Sequence, residues 1–246
     1  MSLTTADHRR SIGGGTTMHV SGHDTLMNPR GITPPPAFRP IFGVDIAGFG
    51  APERDDEVQL AVRERLYEVL LESWEGAGLS WGEAIREDRG DGVLLIGGPQ
   101  ESPGLLIDPL LDLIRARLQR YNRLSSTAGR IRLRAALHLG PVHQDDHGVV
   151  GTAINHMFRL LNAPQLREAL DEPNVDLAFI ASQQVYDSVI VTHGSLGPEN
   201  YLPVECHVKE TAAPAWITIP VRGRRPLITH SRAGVASVIP LDRRAD

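Results

Sequence analysis

The chain has 246 residues, of which 41% are hydrophobic and 22% are charged, a composition typical of a soluble globular protein. The formal net charge of −5 leaves no basic surplus for holding nucleic acid or an anionic membrane surface. No apolar run approaches the roughly 20 residues that a membrane span needs, and no apolar leader opens the chain. The single cysteine, Cys206, excludes an intrachain disulfide, so we expect a cytoplasmic protein.

The residue pattern predicts one folded domain between two tails. Residues 1–38 contain a glycine triplet, a proline triplet and scattered polar residues, which predicts a disordered N-terminal extension. Periodic apolar patterns extend over residues 39–221 and predict the folded domain. Residues 222–246 lose this periodicity and are rich in arginine, which predicts a flexible C-terminal tail.

The first predicted element is a buried strand that ends at Asp45. The apolar run 40–44 precedes this acid, and a turn with Gly48 and Gly50 follows it. The two glycines let the backbone approach a ligand and point amide N–H groups at it, as phosphate-binding turns do. The stretch therefore suits a metal carboxylate beside a phosphate cradle. A buried strand with a turn-capping Asp and two turn glycines explains it equally well.

Helices and strands alternate through the next part of the chain. Apolar residues at helical spacing predict a helix over 55–75 and a second one over 105–124. Between them, residues 81–96 predict two strands around a turn, with a second acid, Asp91, in a Gly-Asp-Gly sequence. Strict alternation over 130–139 predicts a further strand with arginines on one face.

A helix predicted over 153–170 carries Asn155 and Arg159, which share one face because they are four residues apart. The polar loop 140–148 before it contains two histidines and two aspartates. We interpret this loop as a turn, because no further metal ligand is evident. The remaining predicted elements are a strand over 177–180, a short helix over 182–189 and a closing hairpin of 204–208 with 215–221. This order predicts a sandwich with helices on one face of a mostly antiparallel sheet.

Four motifs in this order resemble those of the catalytic domain of class III nucleotidyl cyclases. They are the segments 42–49, 89–94, 133–142 and 151–159. The resemblance extends from about residue 38 to about residue 220. It implies an α+β, ferredoxin-like sandwich that forms a head-to-tail homodimer; the absence of a nucleic-acid partner is expected from the net charge instead. It also implies conversion of a nucleoside triphosphate to a 3′,5′-cyclic nucleotide and pyrophosphate, with metal acids from one subunit and an Asn/Arg helix from the other.

The resemblance gives the site residues their roles. Asp45, Ile46 and Asp91 would hold two Mg²⁺ or Mn²⁺ ions, which favour oxygen ligands. Asn155 would hold the ribose, and Arg159 would face the charge that develops on the α-phosphoryl group. Phosphate contacts would come from Gly48, Phe49, Arg134 and the only lysine of the chain, Lys209.

Two positions bear on the base of the substrate. Members that use ATP carry Lys four residues before the second metal acid and Asp seven before the Asn, where this chain has Glu87 and Gly148. Glutamate accepts hydrogen bonds and suits the N–H of guanine or uracil, although cytosine and adenine also offer amines. With the short loop 140–151, the resemblance favours a compact stand-alone pyrimidine cyclase of anti-phage signalling, whose cyclic UMP or cyclic CMP a separate effector protein reads.

Other interpretations stay open. GTP is the second candidate substrate, and Glu87 is alternatively a solvated hairpin charge. A catalytically silent homologue that binds nucleotide, or another two-metal nucleotidyltransferase, would share part of the pattern. Each site residue also has a purely structural explanation. Asp91 would be a hairpin turn residue and Arg134 an exposed strand residue paired to an acid, while Arg159 would be a helix-surface charge and Asn155 a helix-capping or interhelical amide.

Overall fold

The computed structural model describes residues 36–208, 211–220, 227–230 and 236–239. Its strands are β1 (Ala37–Ile46), β2 (Ile85–Asp88), β3 (Gly92–Ile96), β4 (Leu133–Asp145), β5 (Gly148–Val150), β6 (Leu177–Ser182), β7 (Leu202–Val208), β8 (Thr211–Thr218), β9 (Leu227–His230) and β10 (Ala236–Ile239). Its helices are α1 (Asp56–Gly76), α2 (Leu110–Asn122), α3 (Thr152–Leu161), α4 (Pro164–Asp171) and the short α5 (Gln183–Val185). Nearly all of the predicted N-terminal extension, most of the predicted C-terminal tail and Lys209 lie outside the described residues.

The main sheet has β1 near its centre. Among the described residues it contains eight strands in the order β2-β3-β1-β4-β6-β8-β7, with β5 paired only to β4. The β1–β3, β1–β4 and β2–β3 pairs are antiparallel. Together with α1 and α2, these four strands form the split βαβ arrangement of ferredoxin-like folds. The β4–β6 pair is parallel, and the predicted closing hairpin is formed by β7 and β8. The predicted ferredoxin-like α+β fold is therefore confirmed.

Helices cover both faces of the sheet, so the prediction of helices on one face was wrong. On one side Phe42 of β1 packs in a core with Trp74 of α1 and with α2. On the other side Ile41 packs in a second core with Met157 of α3 and Leu166 of α4. The reason is visible in the strands, because every residue of β3 and β6 is buried. Such unbroken burial is expected when both faces of a strand are covered.

Two predicted elements have different boundaries. The helix predicted over 153–170 is divided into α3 and α4, because Pro164 lacks an N–H and holds Ala163 in an extended conformation. The predicted polar loop instead extends β4 and turns into β5, with the His147 N–H donating to Asp145 Oδ1 at 2.8 Å. In the described part of the chain, no three His, Cys, Asp or Glu side chains are grouped so that they could hold a metal ion.

The C-terminal region contains a hairpin that the sequence analysis did not predict. Strands β9 and β10 pair in antiparallel register within the segment predicted to be a flexible tail.

Among the helices of the described residues, none has the length and apolar character to cross a membrane.

Candidate active site

Asp45 lies at the end of β1, and its position in the sheet fixes its neighbours. It stands opposite Gly92 of β3 on one side and opposite Arg134 of β4 on the other. Asp45 is only 8% exposed, because it lies between the neighbouring strands β3 and β4. A carboxylate at this depth requires compensation from nearby donors.

The second predicted acid, Asp91, is a direct neighbour of this position. Its carbonyl oxygen accepts a hydrogen bond from the Ile46 N–H at 2.8 Å, and its side chain is exposed. A Cβ atom on Gly92 would collide with the Val44 carbonyl oxygen, so only glycine lets the turn approach β1 this closely. The structure therefore brings the two predicted metal acids together. Because the Ile46 side chain is buried, only its backbone can contribute.

Arg134 binds both carboxylate oxygens of Asp45. Its Nε donates to Oδ1 and its Nη2 to Oδ2, each at 2.8 Å, and the two side chains are 12% and 11% exposed. Burial raises the pKa of Asp45 to about 6, because desolvation outweighs the favourable charge of Arg134, and Asp91 acts in the same direction as burial. The third nitrogen, Nη1, is buried without a hydrogen bond to a described residue. The predicted phosphate ligand thus holds a predicted metal ligand.

The turn after β1 presents unpaired backbone donors. Ala47 N–H donates to the Arg132 carbonyl oxygen and Ala51 N–H to that of Gly48. The intervening amides of Gly48, Phe49 and residue 50 make no backbone hydrogen bond within the described chain. Gly48 has a φ of +64°, which favours glycine, and the Phe49 ring packs against the core on the α1 side. These donors have the character that a phosphate cradle requires.

Asn155 and Arg159 project from the outer face of α3. The opposite face packs on the sheet through Ala153, Ile154, Met157, Leu160 and Leu161. Asn155 is exposed and Arg159 half-buried, and neither side chain has a hydrogen bond or an ion pair with a described residue. Because both point away from their own sheet, one chain does not bring them onto Asp45. Within one chain, Asp45 lies near Asp91 and Asn155 lies near Arg159, but the two acids are not near the Asn/Arg pair.

Glu87 is held by two donors of its own chain. Its Oε1 accepts a hydrogen bond from the Val149 N–H at 2.8 Å, and its Oε2 pairs with Arg89. The Arg89 guanidinium also lies over the ring of Phe158 on α3, 5.0 Å from the ring centroid. Glu87 is thus a half-buried link between β2 and β5, which differs from a solvated hairpin charge. Sequence reasoning missed Arg89 and Phe158, since their contact joins residues far apart in the chain.

The chain matches known proteins in structure but not in sequence. No protein-family model matches the sequence, and no curated protein matches it. The adenylate/guanylate cyclase/hydrolase from Silicibacter pomeroyi aligns with a TM-score of 0.54 at 20% identity, over 75% of this chain and 97% of that chain. The catalytic core of a rhodopsin-guanylyl cyclase with converted specificity, in complex with ATPαS, aligns at 0.51 and 18% over 76% and 97%. The fold is that of a class III nucleotidyl cyclase domain.

A further match to this cyclase fold is the guanylyl cyclase Cya2, with a TM-score of 0.51 and 15% identity over 76% of this chain and 95% of that one.

A histidine pair joins β4 to α3, with His138 on the strand and His156 on the helix. The rings of His138 and His156 are 4.6 Å apart, and His138 Nδ1 lies 2.9 Å from Ser182 Oγ. Burial lowers the pKa of His138 to about 4 and also lowers the pKa of His156, where the charge of Arg159 adds to the effect. Sequence alternation placed His138 on the correct strand face but gave no signal of its partner.

Proposed function

We propose that this protein is a nucleotidyl cyclase that converts a nucleoside triphosphate to a 3′,5′-cyclic nucleotide and pyrophosphate. The observation that carries the proposal is the pairing of Asp45 with Gly92, which makes Asp45 and Asp91 neighbours at one end of the sheet. The outward Asn155 and Arg159 supply the amide and guanidinium that this chemistry needs, because phosphoryl transfer depends on positioning and charge stabilisation. The ATPαS bound to the matched rhodopsin-guanylyl cyclase supports a nucleoside triphosphate as substrate class.

The paired carboxylates fit divalent cations. Asp45 and Asp91, with the backbone of Ile46, offer the oxygen donors that Mg²⁺ and Mn²⁺ favour, and we propose two ions per site. Bound ions would supply charge stabilisation and a more acidic ribose 3′-hydroxyl. Arg134 competes with any cation for the oxygens of Asp45. We propose that Arg134, once displaced, donates to the phosphates, for which its buried Nη1 has no other described partner.

The remaining residues act on other parts of the substrate. Arg159 offsets the negative charge that develops on the α-phosphoryl group, because a guanidinium held in place forms strong charge-assisted hydrogen bonds to phosphoryl oxygens. Asn155 holds the ribose. The unpaired amides of Gly48 and Phe49 hold phosphate oxygens, and Lys209, which lies outside the described residues, is proposed as a further phosphate contact.

The two halves of the site meet between two copies of the chain. In one copy Asp45 faces Arg134, whereas Asn155 and Arg159 face away from the sheet without described partners. A head-to-tail homodimer brings the outer face of one α3 to the β1 end of the other copy. Because the interface is symmetric, such a dimer contains two complete sites.

The proposed substrate is a pyrimidine triphosphate, UTP or CTP, with GTP as second candidate. This choice rests on the resemblance to compact pyrimidine cyclases. Glu87, as an acceptor, argues against adenine recognition through lysine and suits the N–H of uracil or of guanine. The hydrogen bond that Glu87 accepts from the Val149 N–H also links β2 to β5. From the resemblance we propose that the cyclic UMP or cyclic CMP serves as a second messenger of anti-phage defence, read by a separate effector protein.

Turnover of purified protein with Mn²⁺ and each of the four triphosphates tests the proposal, with products identified by mass spectrometry. We expect cyclic UMP or cyclic CMP in preference to cyclic AMP, and loss of product in Asp45→Ala and in Arg159→Ala. Arg117→Ala is the matched control, since Arg117 pairs with Glu72 away from the site. Preference for GTP would overturn the pyrimidine assignment alone. No cyclic product from any triphosphate would overturn the cyclase and favour a silent nucleotide-binding module.

A further inference from the structure

A pocket of about 420 Å³ opens beside the C-terminal half of α2. It lies on the α1 and α2 side of the sheet, whereas Asn155 and Arg159 lie on the α3 side. Four arginines line it, namely Arg115, Arg120, Arg123 and Arg130. The only carboxylate in its lining, among the described residues, is Asp176. The lining is therefore strongly positive in a chain whose net charge is −5.

Three of these arginines have no partner among the described residues. The side chains of Arg120, Arg123 and Arg130 form no hydrogen bond and no ion pair with a described residue. Every other arginine in the described part of the chain except Arg159 has at least one hydrogen bond or ion pair. The fold thus leaves its arginines unpaired at only two described places, the outer face of α3 and this pocket.

The fourth arginine is buried and only partly compensated. Arg115 is 8% exposed, and its Nη1 donates to Gln119 Oε1 at 3.0 Å. Its Nε is buried without a hydrogen bond, but it forms an ion pair with the exposed Asp112 carboxylate at 3.5 Å. A buried donor without a hydrogen bond costs free energy unless a ligand or water supplies the acceptor. Arg115 therefore adds a buried positive charge to the lining of the pocket.

Asp176 does not neutralise the cluster. Its Oδ1 accepts a hydrogen bond from Asn122 Nδ2 at 2.8 Å, and it forms no ion pair with a described arginine. Asn122 is itself fixed, since its amide exchanges hydrogen bonds with the backbone of Ile131 at 2.7 and 2.8 Å. The floor of the pocket is thus rigid, and the arginines around it repel one another in the absence of an anion.

We propose that this pocket binds a small oligophosphate anion, either free pyrophosphate or the phosphate chain of a nucleotide. The guanidinium fork matches phosphate oxygens in a bidentate manner, so several unpaired arginines around one cavity favour phosphate over a single carboxylate. The volume falls within the range of roughly 300–1,000 Å³ that is usual for small-molecule sites. The net charge of −5 argues against an extended polyanion such as nucleic acid. This site is separate from Asp45 and does not depend on the proposed cyclase activity.

Calorimetric titration of the full-length protein with pyrophosphate, and separately with UTP, tests the inference. Both titrations contain EDTA, so that no divalent cation recruits phosphate to Asp45. We expect binding that weakens as salt rises above about 0.1 M, because screening grows with ionic strength. The double variant Arg120→Gln/Arg123→Gln should weaken binding at least about tenfold, since it removes two charge-assisted contacts. Arg130→Gln, on a different segment, should weaken it in the same direction.

A matched control separates this pocket from other arginines of the same helix. Arg117 lies on α2 but pairs with Glu72, so Arg117→Gln should bind both probes as the wild type does. Equal affinity for pyrophosphate and UTP would show that the phosphates alone are recognised, and tighter UTP binding would show a nucleotide site. Absence of binding by either probe would overturn the inference. So would a loss in Arg159→Gln that the Arg120→Gln/Arg123→Gln variant does not share.

Discussion

The two halves of the proposed site differ in how completely the chain satisfies them. At the end of β1, Asp45 is buried and bound by both arms of the Arg134 guanidinium. On α3, Asn155 and Arg159 face outward without a described partner. The carboxylate of Asp45 is already paired with Arg134, so a ligand must break this ion pair in order to bind. Asn155 and Arg159, in contrast, are available to a ligand or to another chain. This difference supports the proposal that a second copy of the chain completes the site.

The largest expected effect comes from the acids. Asp91→Asn should abolish turnover and Mn²⁺ binding, yet change the free energy of unfolding by less than about 0.5 kcal/mol, because its side chain is exposed. Asp45→Asn should abolish both and also cost about 3 kcal/mol of stability, since it leaves Arg134 buried without its anion. Turnover assays, electron paramagnetic resonance of Mn²⁺ and urea unfolding measure the three quantities. Equal losses of unfolding free energy in the two variants would contradict the assignment of Asp45 as a buried, paired acid and of Asp91 as an exposed one.

The next largest effect is expected on the helix face. Arg159→Ala should lower kcat by about 10³-fold with little change in KM, because its guanidinium acts on charge that develops in the transition state. Its thermal unfolding should match that of the wild type, since the side chain has no described partner to lose. Steady-state kinetics and a thermal melt decide the matter. A variant that melts early but turns over normally would make Arg159 a structural residue.

Arg134→Gln tests the competition at the sheet end. We expect tighter binding of Mn²⁺ in the absence of nucleotide, because the variant removes the cation that holds both oxygens of Asp45. The same change should cost about 3 kcal/mol of unfolding free energy, because Asp45 then lies buried without its partner. Arg132→Gln is the matched control, since Arg132 pairs with the exposed Asp171. Weaker Mn²⁺ binding in Arg134→Gln would show that no competition exists.

The smallest effect concerns the support beneath α3. The pKa of His138 is lowered from 6.5 to about 4 by burial, so the folded state keeps this ring neutral while the unfolded chain takes up a proton. Its contribution to stability is therefore present above pH 6.5 and lost as the pH falls through about 4. Between about pH 7 and about pH 5, His138→Gln should lose less stability than the wild type.

Urea unfolding at several pH values measures this difference. Asp45 titrates with the opposite sign in an overlapping range, because its pKa is raised rather than lowered, and it is common to both proteins. The comparison between wild type and variant therefore isolates His138. Identical pH profiles for the two proteins would contradict the burial of this ring as a neutral group.

Local patterns predicted the parts of this structure that depend on neighbouring residues. The apolar run before Asp45, the hairpin that carries Asp91 and the four-residue spacing of Asn155 and Arg159 all form as the sequence indicates. The contact between Asp45 and Arg134 could not be predicted in this way, because it depends on the register of β1 against β4.

The same limit applies to the layers and to the pocket beside α2. Covering both faces of the sheet requires α3 and α4 to cross to the second face, which no local period encodes. The approach of Arg130 to Arg115 and Arg123 likewise depends on how the segment before β4 returns past α2. The break before Pro164, in contrast, was available in the sequence, because proline disfavours helix at the preceding residue.

Mixing two inactive variants, Asp45→Ala and Arg159→Ala, tests the central claim most directly. In a heterodimer one of the two sites keeps the acid of one copy and the arginine of the other. We therefore predict recovery of about a quarter of the wild-type turnover after equal mixing with free exchange of subunits. No recovery, when native mass spectrometry shows that heterodimers form, would contradict a site shared between two copies.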